Sequence, residues 1–537
     1  MKILYIQPWN FSDYTQIERF QRGYLKKLSL PRVMFEVLYF VANLAEFEIL
    51  DLNLELLENP QKSAKQILQE KLQGNFFNAI FLTFPTVALG NLVGEIINWC
   101  KELAPQSMLV VGGEAVELMT EDIMKFWPVD YLYCGYGQEI PLILEQINRP
   151  EKFQEIHGLY HRSKKGIIFP EVKRGEAKLL DNYQPKNFYS LKGKFNFQGY
   201  LNRYFKLGFQ PSASIEMMRG CSHKCTFCAI NKIHKVLFRQ PKIVAAEAAF
   251  LLQHRVSDFY LIDPTLGLNK KFTEKLLFLL AQVKVNYPEL KILGVTRTSL
   301  ITEIFTDKLK KAGFETIGLG IETMTNRQLN KIKKKLIPQQ AEKAVKILDM
   351  QKIKVKLFLI HFPTIFSQET IEFLLKLHRK KIDFIVQSSF YRPLYQKSQF
   401  ASLPDFRQFD QRLDCRNFGL DSASSILEWL LVNLAFPSTD IDSKQGDQDL
   451  AKLLTKSNFN ALNIPAFKNL ALIIKPNKYF LYLPKVQPEI IKPNLYKGAD
   501  LQYLSKIPNL TIINLSKEVK NGKRTGGSYA KTNPSNR

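Results

Sequence analysis

The sequence predicts an α/β protein made of two successive parallel-sheet bodies. Three observations predict it. Short apolar runs alternate with helix-length amphipathic stretches over residues 1–150, and the alternation resumes at residue 212. The runs are nearly continuous in apolar residues, as in strands covered on both faces. Glycines recur just after the runs end, at the carboxyl edge where open parallel sheets bind ligands. In the first body, strands are expected at 2–7, 47–52, 78–84, 108–111 and 129–134, with helices at 61–72 and 89–103. In the second, strands are expected at 213–218, 258–262, 292–297, 316–321, 355–361 and 383–388. Helices at 242–254, 270–286, 302–312, 339–351 and 368–380 fill the gaps. Six β/α units predict a full or partial barrel with its chemistry at the C-terminal strand ends.

The rest follows from where this rhythm stops. Residues 1–150 read as a Rossmann-like parallel-sheet domain. Residues 151–210 read as a basic, turn-rich linker, and 211–400 as a β/α TIM-type barrel. Residues 401–515 form a small C-terminal α+β region on the substrate side, with one helix at 422–436 capped by Asp421 or Ser422. Residues 516–537 carry glycines and basic residues with almost nothing apolar, the composition of a disordered tail.

The chain has 537 residues, 45% hydrophobic and 23% charged. That composition is globular and excludes whole-chain disorder. The longest apolar runs are far shorter than the roughly 20 residues of a membrane-spanning helix. The first residues form a β-like run without a cleavage site, so no signal peptide is expected and the cytoplasm is the expected compartment. Of the net charge of +25, almost all lies in residues 151–400, whereas residues 1–150 are acidic. A basic middle suits nucleic acid, but lysines such as those at 331–335 read as solvated helix faces, and nucleic acid is not the expected partner.

Three of the six cysteines stand in Arg219-Gly220-Cys221-Ser222-His223-Lys224-Cys225-Thr226-Phe227-Cys228, directly after the first barrel strand. Three thiolates on one loop suit three corners of an iron–sulfur cubane, leaving the fourth iron open for chemistry. Structural zinc is the alternative and needs a fourth ligand, His223 or His234.

This motif opening a β/α barrel resembles the radical S-adenosylmethionine superfamily. Gly112-Gly113-Glu114 and Gly135-Tyr136-Gly137-Gln138-Glu139 after first-body strands are similar to the cobalamin-binding domain of its cobalamin-dependent members. The resemblance covers residues 1 to about 400. It implies that Cys221, Cys225 and Cys228 hold a [4Fe–4S] cluster whose open iron chelates S-adenosylmethionine, with Phe227 near the adenine. It implies further contacts at three strand ends: Asp263 lining the methionine end, Arg297 pairing with the carboxylate, and Glu322 holding the ribose or the amino group. Trp9, Thr83, Phe84, Gly112, Gly113, Glu114 and Gly135 would surround a corrin ring.

The sequence departs from the family in places. No Asp-x-His-x-x-Gly occurs in the first body, so no histidine there can ligate cobalt. The motif expected after the fifth barrel strand appears as His361-Phe362-Pro363-Thr364-Ile365-Phe366-Ser367-Gln368-Glu369-Thr370, altered by an insertion and a lost glycine. His361 itself is a candidate acid–base or substrate residue, with a structural hydrogen-bonding role as the alternative.

The implied activity is methylation of an unactivated carbon of a natural-product, peptide or lipid-type substrate, through a 5′-deoxyadenosyl radical and methylcobalamin. The electron would come from a flavodoxin- or ferredoxin-type donor. Non-methylating cyclase or oxidoreductase chemistry, and a barrel beside a vestigial cobalamin domain, remain alternatives. RNA methylthiolation is excluded, since the first body holds only Cys100 and Cys134 where that chemistry needs three cysteines.

Overall fold

The computed structural model describes residues 1–9, 27–85, 90–147, 150–163, 166–168, 183–228, 230, 236–361 and 367–390, and the backbone of four later strands. The chain divides into two compact units. One is Met1–Gly320 with Asn330–Val355 and Arg392–Arg412; the other is Ile321–Leu329 with Lys356–Tyr391 and Leu413–Arg537.

The first unit contains the N-terminal sheet and the opening strands of the barrel. Its strands begin with β1 (Lys2–Gln7), β2 (Lys27–Ser29), β3 (Glu46–Asp51), β4 (Ala79–Thr83), β5 (Met108–Gly112), β6 (Tyr131–Tyr133), β7 (Leu159–Ser163) and β8 (Gly166–Ile168). Seven of these form one sheet in the order β3-β1-β4-β5-β6-β7-β8. Pairing is parallel as far as β6, and β7 and β8 add antiparallel. Ile3, Leu4, Tyr5 and Ile6 of the inner strand β1 are all buried, as a strand sandwiched between helices requires. Helices Arg32–Val41, Leu52–Glu58, Ala64–Leu72, Gly90–Leu103 and Glu114–Phe126 follow in turn. Ser63 and Gln66 close a capping box on the third of these.

The barrel starts at β9 (Gln210–Ile215). It continues through β10 (Met218–Arg219), β11 (Leu237–Phe238), β12 (Asp258–Leu261), β13 (Lys291–Thr296) and β14 (Phe314–Glu322). Within the first unit β2, β9, β12, β13 and β14 pair in that order, all parallel. Helices Pro241–Gln253, Lys270–Asn286 and Glu303–Lys311 alternate with the strands, the last two capped by Asn269 and Thr302. The second unit carries most of β15 (Lys354–His361), the helix Gln368–Arg379 and β16 (Phe384–Phe390). It also carries a small mixed sheet of β17 (Leu462–Ile464), β18 (Leu470–Lys475), β19 (Lys478–Leu483) and β20 (Leu510–Asn514). The architecture is thus a parallel-sheet domain followed by a partial β/α barrel, as the sequence predicts. Among the described residues no helix is long and apolar enough to cross a membrane.

The sequence reading did not foresee β2, a strand from the N-terminal segment that joins the barrel sheet beside β9. Its three residues are too few to show a periodicity. Residues 159–168, read as linker, supply β7 and β8. The helix expected at 422–436 and the tail at 516–537 lie outside the described residues.

One buried knot joins the N-terminal sheet domain to the barrel. Glu247, on the helix Pro241–Gln253, is fully buried. It accepts from Arg32 Nη1 at 2.6 Å and Arg239 Nη1 at 3.0 Å, and from the Tyr183 and Tyr189 hydroxyls at 3.1 and 2.9 Å. Arg32 stands on the first helix of the N-terminal domain, and its Nη1 also donates to the Ser214 carbonyl in β9 at 3.0 Å. Burial alone would raise the Glu247 carboxyl, but Arg32 and Arg239 outweigh it and lower it from 4.5 to about 2.

Two outcomes follow for stability. Glu247→Gln removes the carboxylate shared by two buried guanidiniums, leaving Arg32 only Glu36 and Arg239 no direct ion pair among the described residues, and lowers stability by about 3–5 kcal/mol, read by urea unfolding with tryptophan fluorescence. Because the folded carboxyl sits below its ordinary value, its contribution is fully present above pH 4.5 and is lost as pH falls toward about 2. Thermal melts of the wild type should weaken across that window, and Glu247→Gln should flatten this part of the profile.

Candidate active site

The cysteine loop leaves the barrel where β9 ends. Its base is tied by the two-residue antiparallel ribbon of β10 and β11, Met218 opposite Phe238 and Arg219 opposite Leu237. Arg239 N donates to the Met217 carbonyl at 2.7 Å. Asp263 Oδ1 accepts from Met217 N and Met218 N at 2.8 and 3.0 Å. Gly220 then turns the chain with φ 77°, a conformation that favours glycine, and Cys221 follows.

Cys221 is partly exposed, with Sγ 3.7 Å from Thr265 Oγ1. Cys225 is buried, and Arg297 Nη1 lies 3.8 Å from its Sγ. Cys228 N donates to the Cys225 carbonyl at 3.3 Å. Burial raises the Cys228 thiol, and Cys225 and Cys221 add to the shift. All three thiols are free. Among the described residues no three His, Cys, Asp or Glu side chains converge on one point at metal-binding distance. A cubane takes each cysteine at a different iron, which three thiols on one loop can supply; His234, the other candidate zinc ligand, lies outside the described residues.

A second segment lies on this loop. Thr226 N donates to the Ile332 carbonyl at 3.0 Å. Arg297 Nη2 donates to the Lys334 carbonyl. Lys334 is buried, its ammonium 5.8 Å from the centre of the Phe227 ring. Residues 331–335 were expected on a helix face, but the helix ends at Lys331 and Lys333 and Lys335 take left-handed φ of 54° and 52°. The lysines of Lys331-Ile332-Lys333-Lys334-Lys335 concealed this, because lysine is a good helix former. His223, half-buried in the cysteine loop, is lowered by burial and then by Arg297, Lys334 and Lys335. Burial and these cations both disfavour protonation of its ring.

The other strand-end residues divide between the two units. Asp263 is 1% exposed, and burial pushes its carboxyl up to about 7 against its two backbone donors. Its Oδ1 braces the approach to the cysteine loop, and Oδ2 has no hydrogen-bond partner among the described residues. Arg297 follows β13, within reach of Cys225. Glu322 ends β14 in the second unit, buried, with φ 64°. A left-handed non-glycine residue costs roughly 1–2 kcal/mol, and such strain gathers at functional sites. His361 ends β15 in the same unit and is fully buried. Beside Glu322 in sequence, Thr323 Oγ1 bonds Ser367 and Thr370 at 3.1 and 3.3 Å, and Met324 N donates to Thr370 Oγ1 at 2.9 Å. Ser367 and Thr370 belong to the altered motif after the fifth barrel strand; residues 362–366 of that motif lie outside the described ones.

A cavity of about 500 Å³ opens at the carboxyl edge of the N-terminal sheet. Tyr5, Thr83, Gly112, Gly113, Glu114 and Gly135 line one side, and Ser214, Glu216, Met218, Arg219, Gly220 and Pro264 of the barrel line the other. The glycines are needed here. A Cβ on Gly113 would lie 2.5 Å from the Phe84 carbonyl oxygen, and one on Gly135 would lie 2.2 Å from the Tyr133 hydroxyl. Burial raises the Glu114 carboxyl, and Tyr5 bonds Thr83 through their hydroxyls. Two residues expected at this site are not among the lining ones. Phe84 is fully buried against Trp127, ring centres 6.2 Å apart, and Trp9 stands partly exposed beyond β1.

Arg219 joins the cavity to the cysteine loop, and the sequence reading assigned it no role. Its Nε donates to Glu216 at 2.7 Å, its Nη2 to Glu36 of the N-terminal domain at 2.9 Å, and it lies 4.6 Å from the centre of the Tyr136 ring. Its place immediately before Gly220-Cys221 was the available signal.

Residues 215–377 match the radical SAM superfamily, so the chain carries a radical S-adenosylmethionine domain. Among curated proteins it is 26% identical over 262 residues to an anaerobic magnesium-protoporphyrin IX monomethyl ester cyclase of Rubrivivax gelatinosus, covering 46% of this chain and 44% of that one. It is 23% identical over 286 residues to an uncharacterized methyltransferase of Pyrococcus horikoshii, covering 52% and 59%. The chain thus spans about half the length of the curated relatives it matches. Among solved structures it shares the fold of the radical S-adenosylmethionine methyltransferase TsrM from Kitasatospora setae, solved with cobalamin and a [4Fe–4S] cluster bound. The TM-score is 0.57 at 16% identity, covering 75% of this chain and 78% of that one.

The cavity wall is testable through its glycines. Gly113→Ala, at φ 118° against backbone, should destabilise by about 1–3 kcal/mol. Gly74→Ala, at φ 73° with nothing within 4 Å, should cost only about 1 kcal/mol. Thermal melts of the pair measure the difference.

Proposed function

We propose that this chain is a cobalamin-dependent radical S-adenosylmethionine enzyme, and that it methylates an unactivated carbon of a natural-product, peptide or lipid-type substrate. One observation carries the reading: the cavity of the N-terminal sheet shares a wall with the residues that lead into the cysteine loop, Met218, Arg219 and Gly220. A corrin seated against Gly112, Gly113 and Gly135 then faces the barrel strand end from which the three thiolates depart. The cavity's bare backbone and mixed polar lining fit such a group, and the free cysteines beside Arg297 fit an iron–sulfur cubane.

When bound, the cluster, S-adenosylmethionine and cobalamin supply radical generation and methyl transfer. The chain's own residues position and insulate. Cys221, Cys225 and Cys228 hold the cluster as thiolates, whose charge Arg297 offsets at Cys225. Phe227 offers its ring to the adenine. The buried Lys334 ammonium supplies a cation beside the loop for the ligand's carboxylate, a task first expected of Arg297, whose Nη2 is engaged by the Lys334 carbonyl. Asp263 acts behind the site, fixing Met217 and Met218 so that the loop starts in one geometry. Glu322 and His361 are the second unit's candidates for holding ribose or amino group and for handling a substrate proton. Oxygen-labile chemistry of this kind suits a reducing, cytoplasmic setting. Likeness to a cyclase of Rubrivivax gelatinosus favours a second reading, a cobalamin-using cyclase or oxidoreductase that transfers no methyl group.

Anaerobic reconstitution tests this. The wild type should take up iron, sulfide and cobalamin, and form 5′-deoxyadenosine from S-adenosylmethionine under a strong reductant. Cys225→Ala should lose the iron and all deoxyadenosine while keeping cobalamin, since the cavity lies outside its reach. A product heavier by one methyl group supports methyl transfer, and turnover without that gain supports the second reading. Deoxyadenosine formed without any cobalamin uptake overturns the role given to the first domain.

A further inference from the structure

The segment bonded to the cysteine loop presents cations that no carboxylate among the described residues pairs with. From residue 331 burial alternates: Ile332, Lys334 and Leu336 point inward, and Lys331, Lys333 and Lys335 are exposed. Ile332 and Lys334 are fixed to the loop through Thr226 and Arg297. The exposed lysines are thereby carried on a segment bonded to the cysteine loop, and exposed Lys224 stands on that loop beside Cys225 in sequence. Among the described residues none of these four lysines forms an ion pair.

Like charges crowded together repel. Two of the four also sit in left-handed backbone, at roughly 1–2 kcal/mol each. Neither feature helps the chain fold, and a sequence violates such local rules where function compensates. Natural complements are an anionic surface, and its location limits the choice. The patch is outward-facing, so it does not enclose a small molecule, and the cavity at the edge of the N-terminal sheet is lined by other charged residues, Glu36, Glu114, Glu117 and Glu216 with Arg32 and Arg219. Among its described residues the patch offers no exposed aromatic side chain for stacking bases.

We infer that Lys224, Lys331, Lys333 and Lys335 form the docking surface for the acidic face of a one-electron donor protein, which delivers its electron through the cysteine loop beneath. The inference rests on the cluster assignment above. In the step, a donor flavin hydroquinone loses one electron and one proton to become the semiquinone. The cluster gains the electron, the proton passes to solvent, and no other bond changes.

The test uses full-length protein, flavodoxin hydroquinone as donor, and the methyl viologen radical cation as a small donor of opposite charge. The wild type should be reduced by flavodoxin at a rate that falls steeply with salt. K333E/K335E, altered only at exposed side chains, should slow flavodoxin at least about tenfold and lose the salt dependence, while methyl viologen reduces it as fast as the wild type. K333R/K335R should keep the wild-type rate. In parallel, calorimetry with cluster-free protein should show flavodoxin binding that K333E/K335E weakens about tenfold. Equal flavodoxin rates and affinities in wild type and K333E/K335E overturn the docking surface. So does poly(U) binding at the same salt more tightly than flavodoxin in a manner the variant abolishes, which assigns the patch to nucleic acid. Failure of methyl viologen to bleach any reconstituted protein instead defeats the cluster assignment, and the cluster-free binding measurement then decides the docking surface by itself.

Discussion

A single buried carboxylate sets the geometry on which the rest depends. Glu247 lies between Arg32 of the N-terminal domain and Arg239 of the barrel, with two tyrosine hydroxyls completing its shell. An isolated charge at that depth would be expelled or neutralised. Two guanidiniums make it tolerable, and since they come from different parts of the chain, satisfying it fixes those parts against each other. Arg32 extends the tie to β9 through Ser214, and to Glu36, which Arg219 also holds. The chain from β9 into the cysteine loop is therefore registered against the edge of the N-terminal sheet by charges that cannot separate without leaving a bare ion in the interior.

That registration explains why the cavity has two kinds of wall. On the sheet side, backbone dominates: Gly113 and Gly135 sit where any side chain would strike the Phe84 carbonyl or the Tyr133 hydroxyl. On the barrel side, Arg219 carries the connection onward, two residues from Cys221 and in contact with Tyr136 across the cavity. The loop beyond is held by Asp263 at its base and by the lysine segment at its face. Held at its base and its face, it can present its thiols in one arrangement before any metal arrives, which reduces the ordering entropy that metal binding must overcome.

Much of this was legible in the sequence because buried parallel strands are unmistakable runs. β1 and the helix Lys270–Asn286 fall on the residues that periodicity indicated, and most barrel elements fall within a few residues of expectation. The cysteine spacing located the loop, and Gly112, Gly113, Glu114 and Gly135 were placed at the cavity because glycine after a parallel strand marks a carboxyl edge. What stayed hidden depended on distant partners. β2 is too short for a period. Phe84 looked available at a strand end, but packing against Trp127 removes it from the cavity. Arg219 and Lys334 were undistinguished among 75 basic residues until contacts with Glu36, Tyr136, Phe227 and Arg297 singled them out. Lysines 331–335 misled outright, since left-handed backbone at Lys333 and Lys335 is a tertiary outcome that propensity opposes.

The central claim is that the two proposed metal cofactors occupy neighbouring sites separated by little more than Arg219 and Gly220. Electron paramagnetic resonance of reconstituted, cobalamin-loaded protein, titrated with a strong reductant to the point where reduced cluster and cob(II)alamin coexist, tests it most directly, because two unpaired spins at short range broaden and split each other's signals. The account predicts a cob(II)alamin spectrum perturbed by the reduced cluster, reverting to its isolated shape in Cys225→Ala. Two superimposed, unperturbed spectra from the doubly loaded wild type would contradict it.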